Sequence, residues 1–537
     1  MKKISMKTVA FAVVLCLMLT MISACGGDTT KTGQTTAGTA GTSATETTPA
    51  KAEKITLKFL VGARPDFEFT NDMPVFQELE KRTNVHLEWQ LLPATDADQK
   101  FNLIMASNEL PDLISYMDGP TLNKYGTQGA FIALNDLIDQ EAPNLKKIMA
   151  DPPFPMPYIK AEMKASDGNI YSIPFLTQTV TGEIFCVRQD WLTKLNLSVP
   201  DTTEDLYKVL KAFKENDPNG NGKADEVPFS TTDLTWDITA MMNAFGAHEG
   251  YYIASDNTIK YGPMEDRYQE GLGYASKLIK EGLIDKEFLS LSYDQFMTKV
   301  SNNTVGMFYA WPFSGLGACN TLLQKTVPDG KYIAMIPVKG PHGDRFKERP
   351  QNSILPRTVI TKDNKYPKET MRYLDYLFSD EGSLLMNWGI EGKDYTLVNG
   401  KPQFTDYILK NPDGKDVATA RAQEGMQMAL PTIATLDPEK AAVSDQEVSR
   451  AWQIYADAKV LVPPFPSLPF TTAQLTDVNQ KGTEIDTYLA ESLSKFLLGE
   501  TPNSDFPKFV DQLKKMGIED VLKIYNDAYK KYADFNK

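Results

Sequence analysis

Alternation of apolar and polar positions begins abruptly at Lys54. Ile55-Thr56-Leu57-Lys58-Phe59-Leu60 is β-rich with period two, which predicts a strand, and the loop Val61 to Thr70 follows it. The pattern then predicts a helix from Pro74 to Arg82, a strand from Val85 to Leu91, a helix from Asp98 to Ser107, and a turn into a third strand over Leu110 to Tyr116. Strand and helix in this rhythm imply a parallel or mixed sheet with helices on its faces, an α/β fold. Ligands of such sheets collect beyond the carboxyl ends of the strands, which directs attention to Gly62 to Phe67 and Tyr116 to Thr121.

Further on, the pattern predicts a helix over Asn135 to Met149, a turn at Asp167-Gly168 feeding a short strand, a strand over Glu183 to Val187 and a helix over Gln189 to Leu195. Thr202 or Thr203 is placed to cap the next helix. Helices follow over Trp236 to Phe245, Tyr268 to Glu281 and Leu291 to Ser301, with strands over Thr304 to Tyr309 and Tyr332 to Val338. Ser353 to Thr361 reads as a strand returning to the first sheet, followed by helices over Lys368 to Phe378 and Gly382 to Trp388 and a hairpin turning at Asn399-Gly400. Val462 to Pro466 is an extended spacer before three helical stretches that close the chain. The folded part, about 480 residues, suits two lobes. We expect residues 54–176 with 350–400 in the first lobe, and 177–349 with 401–537 in the second.

The amino terminus has a different character. Lys2, Lys3 and Lys7 precede an apolar run from Val9 to Ile22 that is too short to span a membrane and ends in small residues before Cys25, which predicts a secretory signal peptide over residues 1–24. From Gly26 to Glu53 the chain is mostly Thr, Gly, Ala, Ser and Lys without an aromatic residue, so it cannot bury enough apolar area to order itself and is expected to be a tether.

Loss of the signal peptide moves the formal charge from -14 to -17 by removing three lysines and no acid. Such acidity argues against nucleic acid as a partner and against electrostatic adhesion to anionic lipid. Of four cysteines, only Cys186 and Cys319 belong to the folded part; the compartment permits a disulfide between them, and two buried thiols are the alternative.

One stretch carries candidate chemistry of its own. Asp217-Pro218-Asn219-Gly220-Asn221-Gly222-Lys223-Ala224-Asp225-Glu226 puts oxygen-bearing side chains at loop positions 1, 3, 5 and 9, with Gly222 at position 6 and the Lys223 carbonyl at position 7. That is the donor set a hard cation such as Ca²⁺ requires. Position 12 is Pro228 and the spare carboxylate, Glu226, comes at position 10, so this is not a sensor EF-hand. The same residues also form turns readily, and a solvated turn is the other reading.

Several of these segments carry a family resemblance. Ile22-Ser23-Ala24-Cys25-Gly26 resembles the lipobox of bacterial lipoproteins, which implies lipidation at Cys25 and a membrane anchor outside the cell. Arg188-Gln189-Asp190-Trp191-Leu192, Pro200-Asp201-Thr202, Phe213 and Asp217 to Pro228 resemble the extracellular solute-binding lipoproteins of ATP-driven sugar importers. So do Asp167 to Tyr171, Ala106 to Asp112, Trp388 to Tyr395 and the tail from Met516 to Tyr532. The group intended includes the alginate-binding periplasmic proteins and the LplA-like lipoproteins. The resemblance implies a two-lobed, type II periplasmic-binding-protein-like fold with extra carboxyl-terminal helices, a monomer that captures a carbohydrate, an oligosaccharide, in a cleft between the lobes and delivers it to membrane permease subunits. It also implies one structural Ca²⁺ held by Asp217, Asn219, Asn221, Lys223, Asp225 and Glu226.

A sugar needs flat aromatic surfaces and a few fixed polar groups. Trp311 and Trp388 each end a regular element beside Gly- or Pro-rich chain and are the first candidates for stacking. Tyr309, Trp236, Tyr116 and Tyr395 come next, with Arg188 for a hydroxyl or carboxylate; core packing is the alternative for each. Catalysis has little support. His86, His248 and His342 lack metal-ligand spacing, and no phosphate loop or nucleophile motif occurs. A binder of another solute such as a peptide, and a surface polysaccharide hydrolase or lyase, are the rival readings.

Overall fold

Successive side chains of a strand point to opposite faces, and in this chain both faces of both sheets are buried. The computed structural model describes residues 54–63, 69–93, 95–107, 109–154, 159–178, 182–230, 232, 234–348, 353–426, 430–443 and 445–535. The signal peptide, Cys25 and the tether lie outside the described residues.

The first sheet is six-stranded and mixed. Its order is Ile433–Ala434, Ser172–Thr177, Ile354–Ile360, Leu113–Ser115, Ile55–Gly62 and Val85–Leu92. Leu57, Phe59 and Val61 enter one core, which the helices Pro74–Thr83, Pro367–Tyr376 and Asp380–Trp388 cover; Leu60, Ile114 and Val359 enter the other, with Phe101 and Leu122. The second sheet has four strands, in the order Tyr332–Met335, Ile184–Arg188, Val305–Ala310 and Val227–Ser230. Phe185, Val187, Met307 and Tyr309 point into one core, while Ile184, Cys186 and Phe308 point into another. Cys186 and Cys319 are both buried free thiols in that last core.

Most predicted elements are present, and four departures have physical causes. The single helix expected over Asn135 to Met149 is two, Asn135–Glu141 and Pro143–Ala150, because Pro143 has no N–H to donate and excludes helical backbone from Ala142, which sits at φ -124° and ψ 63°. Val227–Ser230, to which the sequence pattern assigns no element, is a strand; it lies at a sheet edge, where a proline is tolerated. The short helices and the hairpin of Tyr251–Ile253 with Ile259–Tyr261 carry too few residues for a periodic signal. Finally, Phe404, Ile408, Ala420, Met426, Leu430 and Ile433 belong to the core of the first sheet, so the segment after residue 400 is not in the second lobe, as expected from sequence; the second sheet regains the chain near the helix Gln446–Asp457.

The chain therefore crosses between the sheets three times: at 178–183, at 336–353 and after Ala434. Register puts all three at one strand-end edge of each sheet, where the strands finish or begin. Ile354 and Ile433 both align with Leu176, and Ile184 aligns with Ala310. The last helix, Ile518–Phe535, spans the two parts: Tyr532 donates from Oη to Glu162 Oε1 at 2.6 Å, and Asn526 exchanges bonds of 2.8 and 3.0 Å with the Ile259 backbone.

Asp394 marks the break after Trp388. It is fully buried, accepts the Ile390 N–H at 2.8 Å, and burial pushes its carboxyl up to about 6. Gly389 lies at φ +81° with Asp394 Oδ2 only 2.3 Å from where a Cβ would stand, so only glycine fits. Because the folded state holds this proton more tightly than the unfolded chain, whose aspartates release it near 3.8, stability from this group is full at lower pH and is lost as pH rises through about 6. Unfolding curves taken from pH 4 to pH 7 should show that decline in the natural protein, and Asp394→Asn should flatten it.

Candidate functional site

Three features meet the requirements of a functional site. They are the shared edge where the crossings leave the sheets, a large pocket beside the second crossing, and the loop after the helix Thr203–Glu215.

At the shared edge stand Gly62 and Tyr116, which end parallel strands beside the first crossing, and Trp311, which follows Ala310. Trp311 is 45% exposed, the only tryptophan on the exposed-hydrophobic side among the described side chains. Tyr116 packs on Phe101 and donates from its hydroxyl to Asp98 at 2.7 Å. Trp236 lies on the helix Leu234–Met242, which follows the strand Val227–Ser230; its side chain lies outside the described residues.

The other aromatic candidates are elsewhere. Trp388 is 6% exposed, 4.7 Å from Phe404 and 6.4 Å from Tyr395, and both it and Tyr395 belong to the first core. Tyr309 is buried against Phe185, with the Lys347 ammonium over its ring at 5.0 Å. Arg188 has no exposed surface: its guanidinium forks onto Asp190 at 2.9 and 2.6 Å, donates to Asn303 at 2.7 Å, and lies over the Trp191 ring. Here these four serve packing. An arginine next to an aspartate and a tryptophan is as suited to a buried fork as to a ligand, and only the surrounding burial distinguishes the two.

The pocket has a volume of about 960 Å³. Its walls are the hairpin residues Tyr251, Tyr252 and Tyr261, Tyr268 from the following helix, Phe465 from the spacer, and Tyr525 and Tyr529 one turn apart on the last helix. Tyr251 and Tyr525 stack at 4.1 Å, and His248 stacks on Tyr252 at 3.6 Å. Polar groups are few and fixed: His248 bonds Glu348 of the second crossing, whose other oxygen accepts the Glu249 N–H at 2.8 Å. Asp486 comes in from the long helix Thr472–Leu498, and burial raises its carboxyl. The Tyr261 hydroxyl, on a side chain 3% exposed, has no hydrogen-bond partner, which is costly for a buried polar group unless something in the pocket supplies one. Sequence reasoning passed over these residues. The signals were the Tyr251-Tyr252 pair and the four-residue spacing of Tyr525 and Tyr529, which puts both on one helical face.

The loop is built on a capped helix: Thr202 and Asp205 form a reciprocal cap before Thr203–Glu215, and Phe213 is buried under Trp191. Asp217 takes φ +46°, and its two carboxylate oxygens accept the N–H groups of Asn221 and Gly222 at 3.1 and 3.0 Å. Asn219 and Asn221 turn their amides toward Asp225 at 2.9 to 3.0 Å. Gly220 and Gly222 both take φ +73°, the left-handed conformation the turn needs. Both oxygens of Glu226 are buried without a well-formed hydrogen bond; burial pushes its carboxyl up, the backbone N–H groups of Glu226 and Asn219 offset this in part, and Asp217 and Asp225 add to the rise. Among the described residues no three His, Cys, Asp or Glu side chains converge as a metal cluster, so an ion here would take amide and carbonyl oxygens alongside the carboxylates. An all-oxygen set with an unsatisfied buried carboxylate fits a hard cation.

Residues 69–383 match the profile of the bacterial extracellular solute-binding proteins. The chain belongs to that family. Its members bind solutes without transforming them, in keeping with a site built of aromatic faces. This solute-binding protein is 28% identical to the fructooligosaccharide ABC transporter substrate-binding protein FusA of Streptococcus pneumoniae, over 97% of each chain. It is 24% identical to the polygalacturonan/rhamnogalacturonan-binding protein YtcQ of Bacillus subtilis, over 84% of this chain and 87% of that one. Among solved structures, the alginate-binding protein AlgQ2 without calcium ion superposes with a TM-score of 0.73 at 30% identity, covering 89% of this chain and 99% of that one. FusA, solved as an EF-hand mutant with fructo-nystose, gives 0.70 at 26% identity over 90% and 100%.

Packing separates the two leading tryptophans. Trp388→Ala removes a buried ring and should lower stability by about 3–5 kcal/mol, whereas Trp311→Ala should leave it within about 0.5 kcal/mol. Thermal or urea unfolding of the two variants measures this directly.

Proposed function

We propose that this solute-binding protein captures an oligosaccharide and presents it to the permease of an ABC importer while anchored outside the cell through lipid on Cys25. The observation that carries the ligand class is the pocket: seven aromatic rings with a few fixed acids and a buried, unsatisfied Tyr261 hydroxyl. Stacked rings take up the CH faces of sugar rings, and the tyrosine hydroxyl meets a sugar hydroxyl. The named ligands of FusA, YtcQ and AlgQ2, all carbohydrates, support the same reading. Trp311, exposed where its strand ends, adds a second stacking surface, and Trp236 and Tyr116 are the further stacking candidates.

Capture works through a shift of population. The crossings are the segments that join two well-packed sheets, so rotation about them is the soft motion of the molecule. A ligand that touches Glu348 on a crossing and the rings beside it favours the arrangement in which those contacts are all made. The permease then recognises that arrangement in a monomer.

We further infer that the loop holds one structural Ca²⁺. Asp217, Asp225 and Glu226 supply charge, Asn219 and Asn221 supply amide oxygens after rotation of their amides, and Lys223 supplies its carbonyl. A divalent ion would relieve the buried Glu226 carboxylate and pin the capped helix to the strand Val227–Ser230.

Two measurements test these readings. Calorimetry with Ca²⁺ should give one site, accompanied by a raised melting temperature, and both should vanish in Asp217→Ala/Asp225→Ala; equal heats in the variant would remove the ion from this loop. Incubation with oligosaccharides should raise the melting temperature and leave the sugar unchanged. New reducing ends or unsaturated products would indicate an enzyme instead, and a thermal response to peptides alone would indicate a different solute.

A further inference from the structure

The relatives named above take chemically different sugars. Polygalacturonan and alginate are polyanions, with a carboxylate on most rings, whereas fructooligosaccharides are neutral. Family membership therefore leaves the charge of this ligand open, and the pocket itself has to decide it.

A site for a uronate needs a cation that pairs with the sugar carboxylate, arginine above all, because a buried carboxylate without a partner is expensive. Among the described residues that line this pocket there is no lysine or arginine. The ionisable side chains that do line it, besides the tyrosines, are His248, Glu249, Glu348 and Asp486. His248 is already bonded to Glu348. Of the two cations that flank Glu348 in sequence, Lys347 turns its ammonium onto the Tyr309 ring and Arg349 lies outside the described residues; Arg188, the cation singled out in the sequence, is closed inside the second lobe on Asp190. Asp486 acts electrostatically on Tyr251, Tyr261 and Tyr525, so its charge is felt across the pocket from the long helix to the hairpin.

We propose that the ligand of this pocket is an electrically neutral oligosaccharide, and that Glu249, Glu348 and Asp486 exclude uronate-bearing glycans by leaving their carboxylates without a counter-charge. The inference rests on the reading of the pocket as the sugar site. A neutral glycan loses nothing to these acids: its hydroxyls donate to them while its CH faces stack on the tyrosines. A uronate gives up part of its hydration and meets like charge, and beside apolar ring walls that repulsion is stronger than in bulk water. Burial already raises the Asp486 carboxyl, the sign of a pocket that resists the charge it has.

Calorimetry on the purified protein with three panels tests this: neutral fructo-, xylo- and malto-oligosaccharides, oligogalacturonates and oligoalginates, and cationic glucosamine oligomers. The expected result is binding of a neutral oligosaccharide at least tenfold tighter than any uronate or glucosamine oligomer of similar length. Asp486→Asn should narrow the gap to the uronates by threefold or more, with a melting temperature near that of the natural protein to show that it folds. A uronate or a glucosamine oligomer binding as tightly as the best neutral glycan overturns the proposal while leaving the sugar reading intact. An unchanged gap in folded Asp486→Asn overturns the exclusion by Asp486. No heat with any glycan removes the sugar reading itself, and this inference with it.

Discussion

The architecture depends on one constraint: two sheets, each buried on both faces, joined by a chain that crosses between them at a single edge. A sheet covered on both sides has no face to offer a ligand, so recognition is confined to its edges and to what the crossings and later helices build beside them. The strands Ile55–Gly62 and Ile184–Arg188 illustrate it, since alternate residues of each enter separate cores. Exposed ring surface is then available where packing ends, as at Trp311, immediately after the last paired residue of its strand.

The carboxyl-terminal helices do more than extend the second lobe. The long helix Thr472–Leu498 and the last helix Ile518–Phe535 supply one wall of the pocket, and the last helix also bonds to Glu162 near the first core and to Ile259 of the hairpin. Burial raises the Glu162 carboxyl, while Tyr532 and the Ser467 N–H partly compensate. The pocket and the contact near Glu162 thus share a helix. Tyr525 and Tyr529, which line the pocket, and Tyr532, which bonds Glu162, stand on this one helix.

The loop at Asp217 serves a different end. Its oxygens are held by backbone N–H groups, its glycines sit at left-handed conformation, and Glu226 waits buried and unsatisfied beneath it. The loop lies between a capped helix and an edge strand, far from the tyrosines in the chain.

Local chemistry was legible in the sequence: period-two strands, the Thr202 cap, the Asn399-Gly400 hairpin and the spacing of the Asp217 loop each depend on residues within a turn or two of one another. Proline was legible only in part, since Pro143 splits a helix that periodicity predicts whole, and Pro228 is harmless because its strand lies at an edge. Burial was not legible. Trp311 and Trp388 both end regular elements beside glycine or proline, yet one is half exposed and the other closes a core, because what covers Trp388 is Phe404 and Tyr395, brought there by a hairpin. The pocket joins residues from 239 to 529, and no window of sequence contains it. Short-range geometry is written in neighbouring residues; which aromatic ring faces a ligand and which faces another ring is decided by contacts across hundreds of positions, and only the tertiary fold makes them.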